Sequence, residues 1–379
     1  MDDAVEMNDA QRGEAKEYGR RELYCGLADR GLDILYLAAF STWAARPLAA
    51  WLRDESGLRQ LWIQLVGMFL IMTLGHMAVS FPLSFYAGHV LEHRYGLSRQ
   101  SFSRWLIRYA KRNGLTLAFG LLLTQGLYWT IWLTGSYWWL VAAAASFVVS
   151  AILGQLAPVL IMPLFYKFER LPDDELLRRL SKLADGTGLN VEGVYRMEMS
   201  AETAKANAML AGLGSTRRVI LGDTLLDNFS GDEIEVIFAH EVGHHVHRHI
   251  HKLIGSILLF SGGSFFVCDR VLRWHSTGQL SGALDYGSLP VWTLPWLTLV
   301  ITLMSLLFEP LQNAVSRRFE VQADTYALQR TRHKSAFQSA FHKLAKINKA
   351  DPDPHPLEVL LFHSHPPIKE RLALANKVS

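Results

Sequence analysis

Cysteine is nearly missing from this chain. Cys25 and Cys268 are the only two in 379 residues, far apart and in no C-x-x-C spacing, so neither a disulfide framework nor a cysteine-ligated metal site is indicated. Charge is scarce too: Asp, Glu, Lys and Arg make up 19% of the chain, and the formal net charge is only +3. With no basic stripe interleaved with aromatics, that balance argues against nucleic acid as a partner. The first thirty residues hold no apolar leader, because Asp2, Asp3, Glu6, Arg12, Glu14, Lys16, Arg20 and Arg21 mix both signs there. Insertion into a membrane is therefore expected from internal segments. No internal repeat or low-complexity tract occurs.

What the chain has instead is apolar bulk, with half of its residues hydrophobic, 11 Trp and 19 Phe. Six runs approach the length of a bilayer span, at roughly 31–50, 61–86, 115–134, 137–164, 250–272 and 291–309. The first is the weakest, diluted by Asp33 and Arg46. Arg94, Arg99, Arg104, Arg108, Lys111 and Arg112 crowd the connection 87–114, whereas Gly135-Ser136 carries no base and 273–290 only Arg273. The positive-inside bias puts 87–114 in the cytosol, and alternation brings the N-terminus, the polar region 165–249 and the tail after 310 to the same side. The expected organisation is thus a polar segment 1–30, four spans within 31–164 with the basic cytosolic loop 87–114, a cytosolic α/β part 165–249, two spans within 250–309, and a C-terminal part 310–379. Within the basic loop, Phe102, Trp105, Leu106 and Tyr109 share a helical face opposite Arg104, Arg108 and Lys111. That pattern fits an interfacial helix on anionic lipid as well as it fits a solvated charged face.

The polar region reads as a small mixed α/β unit. Residues 173–184 have helical period with Leu176, Leu177, Leu180 and Leu183 inward, starting at Asp173 behind Pro172. Strand-like runs follow at 191–197, 207–211 and 218–221. Ser230, with Glu233 three residues on, then opens a helix with a capping-box spacing.

That helix carries His240-Glu241-Val242-Gly243-His244, the order H-E-x-x-H. Positions i and i+4 share a helix face, so His240 and His244 can present two imidazole nitrogens to one zinc ion, with Glu241 beside them free to handle a proton. The chain has 15 histidines, so a chance match has to be weighed, and the rest of a site decides the matter. A third ligand is best sought after the sixth span, where Glu320 and Asp324 are four apart; Glu320 would bind zinc and Asp324 would hydrogen-bond a ligand imidazole. Pairing of both carboxylates with Arg317, Arg318 and Arg330 on a solvated helix is the plainer alternative. His247 and His251 continue the His240 face at i+7 and i+11 and are rivals for third ligand, although the pattern H-E-x-x-H-x-x-G-x-x-H fails because His247 stands where Gly is required. His365, stiffened by Pro366 and Pro367, is the candidate donor to a tetrahedral oxyanion, with His363 its competitor. His245 and His249 fall on other faces and receive no role.

The runs from His240 to His245 (HEVGHH), Asn313 to Asp324 (NAVSRRFEVQAD) and Ser364 to Leu372 (SHPPIKERL) resemble the type I CAAX prenyl endopeptidases, intramembrane zinc proteases of the M48 group. Glu92 to Ser98 (EHRYGLS) and Met162 to Phe168 (MPLFYKF) agree, so the resemblance runs in order from about 61 to 372. It implies a polytopic α-helical membrane protein, with a ring of about six to seven tilted transmembrane helices around an internal water-filled chamber, capped by a small mixed α/β zinc metalloprotease domain. The family's ligands map onto His240, His244 and Glu320, and its base onto Glu241. Asn207-Ala208 resembles an Asn-Ala pair on a strand that aligns substrate by its backbone beside the zinc. The family has seven spans, whereas hydropathy yields six here.

The function expected is that of an integral-membrane zinc metalloendopeptidase, with one Zn2+ per chain, cleaving near the C-terminus of prenylated or other membrane-associated peptides. Its partners are membrane lipid and a peptide or lipidated peptide, in a bacterial inner membrane or a eukaryotic ER-type membrane. No residue pattern specifies an oligomeric state. Quality-control proteolysis of membrane proteins, as in HtpX-type peptidases, is the second enzyme reading. A non-catalytic metal transporter or scaffold is the third; it has no need of Glu241 as a base.

Overall fold

A computed structural model describes residues 6–172, 174–189, 191–211 and 217–378. Asn8 opens helix α1 (Asp9–Ala39) through a reciprocal capping box with Gln11. α1 runs on through a π-helical turn at Phe40–Ala44 into α2 (Ala45–Asp54). Next comes α3 (Leu61–Phe85), which Tyr86–Leu91 prolongs into α4 (Glu92–Arg94). α5 (Phe102–Thr134) and α6 (Trp138–Leu156) meet at a tight turn whose Gly135 has φ 57°, a conformation that a side chain would strain.

Four helical stretches among the described residues are long and apolar enough to cross a membrane: Leu61–Arg94, Phe102–Gly154, His249–Thr277 and Val291–Thr331. The second contains the expected span 115–134 and, beyond Gly135, most of the expected span 137–164. The expected span 31–50 is not among them. It is helical, but Asp33 and Arg46 lower its hydropathy, and Asp33 Oδ1 lies 2.7 Å from His76 Nε2 on α3.

The basic connection 87–114, expected to hold a helix around Phe102–Tyr109, is helical over most of its length. α3 continues through Tyr86–Leu91 to Arg94, and after the left-handed Gly96 (φ 67°) α5 already starts at Phe102, capped by Ser101. Part of the Phe102, Trp105, Leu106, Tyr109 face is covered by protein: its rings pack on Phe81 and Phe85 of α3, with centroids 5.4–5.6 Å apart, and Trp105 is buried, whereas Phe102 and Leu106 stay exposed.

The membrane half has its core where helix ends converge: Leu65, Met68, Tyr128, Ile131, Trp138, Cys268 and Leu289 are all fully buried. A carboxyl side chain is enclosed there. Asp269, wholly buried, accepts hydrogen bonds from Trp138 Nε1 (3.0 Å) and Arg273 Nε (2.9 Å), which is how a carboxylate is tolerated away from water.

The polar half is built on a four-stranded sheet of order β1 (Lys167–Arg170), β2 (Val191–Glu198), β4 (Arg217–Gly222), β3 (Ala208–Ala211). β2 and β4 are parallel, the other pairs antiparallel, and β3 is an edge. β1 escapes a search for alternating apolar residues because Lys167, Glu169 and Arg170 occupy three of its four positions. Helix α7 (Asp174–Ala184) covers the sheet; Asp173, its expected start, lies outside the described residues. After the short α8 (Asp223–Asn228) comes α9 (Gly231–Val246), opened by the expected Ser230/Glu233 capping box. Leu180, Val194, Leu221, Leu225, Phe238 and Val242 form the core between these layers.

α10 (His249–Thr277) returns to the membrane half. α11 (Leu294–Thr331) then joins the last span and the polar segment around Glu320 in one 38-residue helix, with Pro310 inside it. α12 (Lys334–Asn348), α13 (Pro356–Phe362) and α14 (Ile368–Lys377) complete the polar half. The two halves are stitched beside β3: Tyr18 Oη donates to Glu92 Oε1 (2.5 Å), Lys205 Nζ reaches Tyr18 Oη (3.0 Å), and Ala204 N donates to Leu97 O (2.9 Å).

Candidate metal centre and active site

Helices α9 and α11 cross at Gly243. A Cβ built there would sit 2.9 Å from Ala323 Cα and 3.2 Å from Ala323 O, so only glycine permits this approach. The crossing sets His240 and His244, one turn apart on α9, against Glu320 and Asp324, one turn apart on α11. One ligand atom each from His240, His244 and Glu320 lie within 4.8 Å of one another. His240 Nε2 is 3.3 Å from Glu320 Oε2 and His244 Nε2 is 3.3 Å from Glu320 Oε1.

The donor set suits a divalent cation. The two Nε2 atoms face each other at 3.0 Å, and Glu320 Oε2 is buried without a hydrogen-bond partner. Two imidazoles and one carboxylate converging on a point, with polar valences unspent, match the ligand types of zinc. Burial disfavours an imidazolium at His240, yet the carboxylates of Asp324 and Glu320 outweigh it and raise its pKa to about 9. The cluster therefore favours positive charge at this point. Glu241, in the same helical turn, has its pKa raised above the ordinary carboxylate range by burial, the direction a general base near neutrality requires.

His240 Nδ1 meets Asp324 Oδ1 at 2.8 Å, and Asp324 is wholly buried. Arg371 of α14 holds that carboxylate bidentately, through Nε to Oδ2 (2.7 Å) and Nη2 to Oδ1 (2.6 Å), and lies over the Phe341 ring. His365 Nε2 comes within 3.5 Å of Glu320 Oε1, while its Nδ1 meets Ser364 Oγ at 2.9 Å. Its competitor His363 turns to Glu358 (3.2 Å) instead.

His247 and His251 do not join the cluster, which corrects the expectation that they continue its face. α9 ends at Val246, and Arg248 takes a left-handed φ of 55°, so the following residues leave the helix direction. His251 is exposed. The same break brings His249, which the helical wheel had dismissed, to within 3.0 Å of His244 Nδ1.

Asn207 precedes the edge strand β3, and its carbonyl accepts from Gly222 N at 2.9 Å. Ala208 pairs with Leu221, which leaves the outer side of β3 without a partner strand among the described residues. A cavity of about 750 Å³ lies between α1 and the Pro366-Pro367 loop, lined among others by Tyr18, Lys205, Phe362, His365 and Arg371.

Sequence reasoning missed Arg371, Gly243 and His249. Arg371 and Gly243 both stood inside runs that carried the family resemblance, but neither residue type is a zinc ligand. The Glu320/Asp324 spacing, read as a ligand beside its hydrogen-bonding partner, was the available signal that a cation would be needed nearby.

Residues 170–379 match the model of peptidase family M48, and residues 4–167 match the model for the CAAX prenyl protease N-terminal part, described as five membrane helices. Hydropathy had yielded four spans in that part. An uncharacterized metalloprotease of Bacillus subtilis, YhfN, is 28% identical over 99% of this chain and 88% of its own length. CAAX prenyl protease 1 of Saccharomyces cerevisiae and its homolog in Taenia solium are each 30% identical, over 79% and 78% of this chain and 69% and 68% of their own lengths. The crystal structure of S. mikatae Ste24p superposes with a TM-score of 0.84 at 23% identity, covering 97% of this chain and 89% of that one, a likeness of fold. On the family match and the fold together, this chain belongs to peptidase family M48 and is a multi-pass membrane metalloprotease of the CAAX prenyl protease family.

Proposed function

We propose that this metalloprotease is a zinc endopeptidase that cleaves near the C-terminus of prenylated or other membrane-associated peptides. His240, His244 and Glu320 are its zinc ligands, and Asp324 orients His240. The observation that carries the reading is the convergence of those three side chains within 4.8 Å, with Glu241 in the same turn. Zinc held there supplies Lewis acidity, which makes a water acidic enough to lose a proton near neutral pH. Glu241 takes the proton of the attacking water and returns it to the leaving amine. His365, at the open side of the cluster, donates to the oxyanion as the carbonyl becomes tetrahedral.

The free edge of β3 supports a role for Asn207 and Ala208 in aligning the peptide. An extended segment added there gains main-chain hydrogen bonds whatever its side chains, and the sheet edge lies beside α9. The parts 165–249 and 310–379 act together as the zinc-binding unit on the cytosolic face, with the spans of 31–164 and 250–309 embedded in lipid and the basic connection 87–114 on the cytosolic side. The bases from Arg94 to Arg112 support that orientation.

The decisive experiment is cleavage of a farnesylated CAAX peptide and its non-lipidated counterpart by the purified chain and by Glu241→Ala. The variant is expected to keep its zinc and lose turnover by about 10²–10⁴-fold. Undiminished turnover would remove Glu241 from the mechanism, and equal rates on both peptides would favour general proteolysis of membrane proteins instead.

A further inference from the structure

A zinc-ligating histidine works only if the nitrogen aimed at the metal carries a lone pair, so its other nitrogen has to hold the hydrogen. For His240 the buried Asp324 carboxylate enforces that choice. Among the described residues no carboxylate reaches the Nδ1 of His244. What reaches it is His249, the first residue of α10, which is 1% exposed and carried round by the left-handed turn at Arg248. On an unbroken helix a residue five positions on would stand about 140° away from His244.

His249 is itself tightly placed. Its ring stacks on Phe319 at 4.2 Å with 9° between planes, and the ring of His247 lies 5.5 Å away. Its Nε2 is 2.9 Å from Gln322 Oε1, and its Nδ1 is 3.0 Å from His244 Nδ1. Two ring nitrogens at that separation share one hydrogen. When His249 Nε2–H donates to the Gln322 carbonyl oxygen, His249 Nδ1 is a bare acceptor. His244 then carries its hydrogen on Nδ1, and its Nε2 presents a lone pair toward His240 Nε2 (3.0 Å) and Glu320 Oε1 (3.3 Å). The opposite sense puts a hydrogen on His244 Nε2 and closes it to a cation.

We infer that His249, anchored by Gln322, is the positioning residue of His244, fixing the tautomer and ring orientation in which that side chain binds metal. The inference rests on the zinc-site reading above and adds a residue to it from the head of a membrane-crossing helix. A neutral imidazole has a physical advantage in this place. Glu241, Glu320 and Asp324 already bring three carboxyl groups to the site, and a fourth would deepen their mutual repulsion, whereas His249 accepts the hydrogen without adding charge.

The test uses the full-length chain in detergent, stripped with a chelator and titrated with Co2+ against a competing chelator, with the d–d spectrum recorded. His249→Phe keeps the stacking on Phe319 and removes the acceptor; it is expected to weaken cobalt affinity by about 10–100-fold and to alter the d–d band. His249→Asn, whose Oδ1 falls near the place of Nδ1, is expected to restore most of the affinity. Gln322→Leu removes the anchor and leaves the ring, and is expected to weaken binding in the same direction. Should His249→Phe fail to fold, Gln322→Leu and His249→Asn decide alone. Wild-type affinity and spectrum in His249→Phe or Gln322→Leu, with only a lowered melting temperature, would overturn the inference and leave the zinc site standing. A wild-type chain that takes up no cobalt, or a His244→Ala variant that binds as tightly, would overturn the site itself and the inference with it.

Discussion

Replacing Gly243 with alanine tests whether the crossing of α9 and α11 builds the metal site. The added Cβ meets backbone, not a movable side-chain tip: Ala323 Cα at 2.9 Å, Ala323 O at 3.2 Å, with Tyr326 Cβ also at 3.2 Å. Restoring ordinary contact to Ala323 Cα requires the helices to part by about 0.5 Å, whereas metal–ligand distances tolerate only about ±0.2 Å. Glu320 and Asp324 sit three residues before Ala323 and one after it, so they move with it. Overpacking of this kind costs about 1–3 kcal/mol. Gly243→Ala is thus expected to lower thermal stability by that order and to weaken zinc affinity at least tenfold, about 1.4 kcal/mol in binding. Both are measurable on the purified chain, by unfolding of the chelated form and by competition with a zinc chelator. Unchanged melting together with unchanged affinity would show that the crossing has slack and that Gly243 has another purpose.

Other perturbations probe the surroundings. Arg371→Leu leaves the buried Asp324 carboxylate without its bidentate partner and is expected to destabilise the fold by about 3–5 kcal/mol, while Arg371→Lys restores charge but not the fork, and only partly rescues it; equal stability of all three proteins would contradict the account. His365→Ala is expected to reduce kcat by about 10²–10³-fold with zinc retained, and a change confined to KM would move His365 from oxyanion donor to substrate binding. Acid sensitivity follows from Glu233 and Asp223. Burial alone would raise both pKa values, but hydrogen bonds from Lys343, Ser339 and the Ser230 N–H to Glu233, and from Ser200 and the Met199 and Thr224 N–H groups to Asp223, lower them. A lowered folded pKa means stability that is present above the unfolded value and lost as pH falls through the folded one, so melting temperature should drop from roughly pH 4.3 downward. Lys343→Met should shift that loss for Glu233 to higher pH, and a superimposable profile would refute the assignment.

The parts of the site that follow from local helix geometry were legible in the sequence. His240 and His244 share a face because they are four apart, and Ser230 with Glu233 marked where that helix begins. The link to Glu320, eighty residues away, came through the resemblance as much as through the Glu320/Asp324 spacing. What stayed hidden depended on backbone events without a clear residue signature. Arg248 in a left-handed conformation ends α9 and redirects His249, although arginine gives no warning of it. The helical face at Phe102, Trp105 and Tyr109 was legible in the basic connection 87–114, but not its covering by Phe81 and Phe85, which lie in the preceding span. β1 was invisible because Lys167, Glu169 and Arg170 flank Phe168, the one residue of the strand that packs on the Met197–Ile220 cluster, and pairing with β2 places the rest.

α11 is a lever. At about 1.5 Å per residue its 38 residues extend about 57 Å, and Glu320 stands eleven residues, or roughly 16 Å, beyond the end of the apolar run. A membrane helix adjusts to bilayer thickness by tilting, and a tilt of about 5° moves a point that far out by roughly 1.4 Å. That exceeds what the cluster around His240 and His244 can absorb, unless α9 and α10 move with α11 as one body. Catalysis in vesicles of graded acyl-chain length should therefore peak at the thickness that matches this rod, which makes the lipid itself a determinant of how fast the chain works.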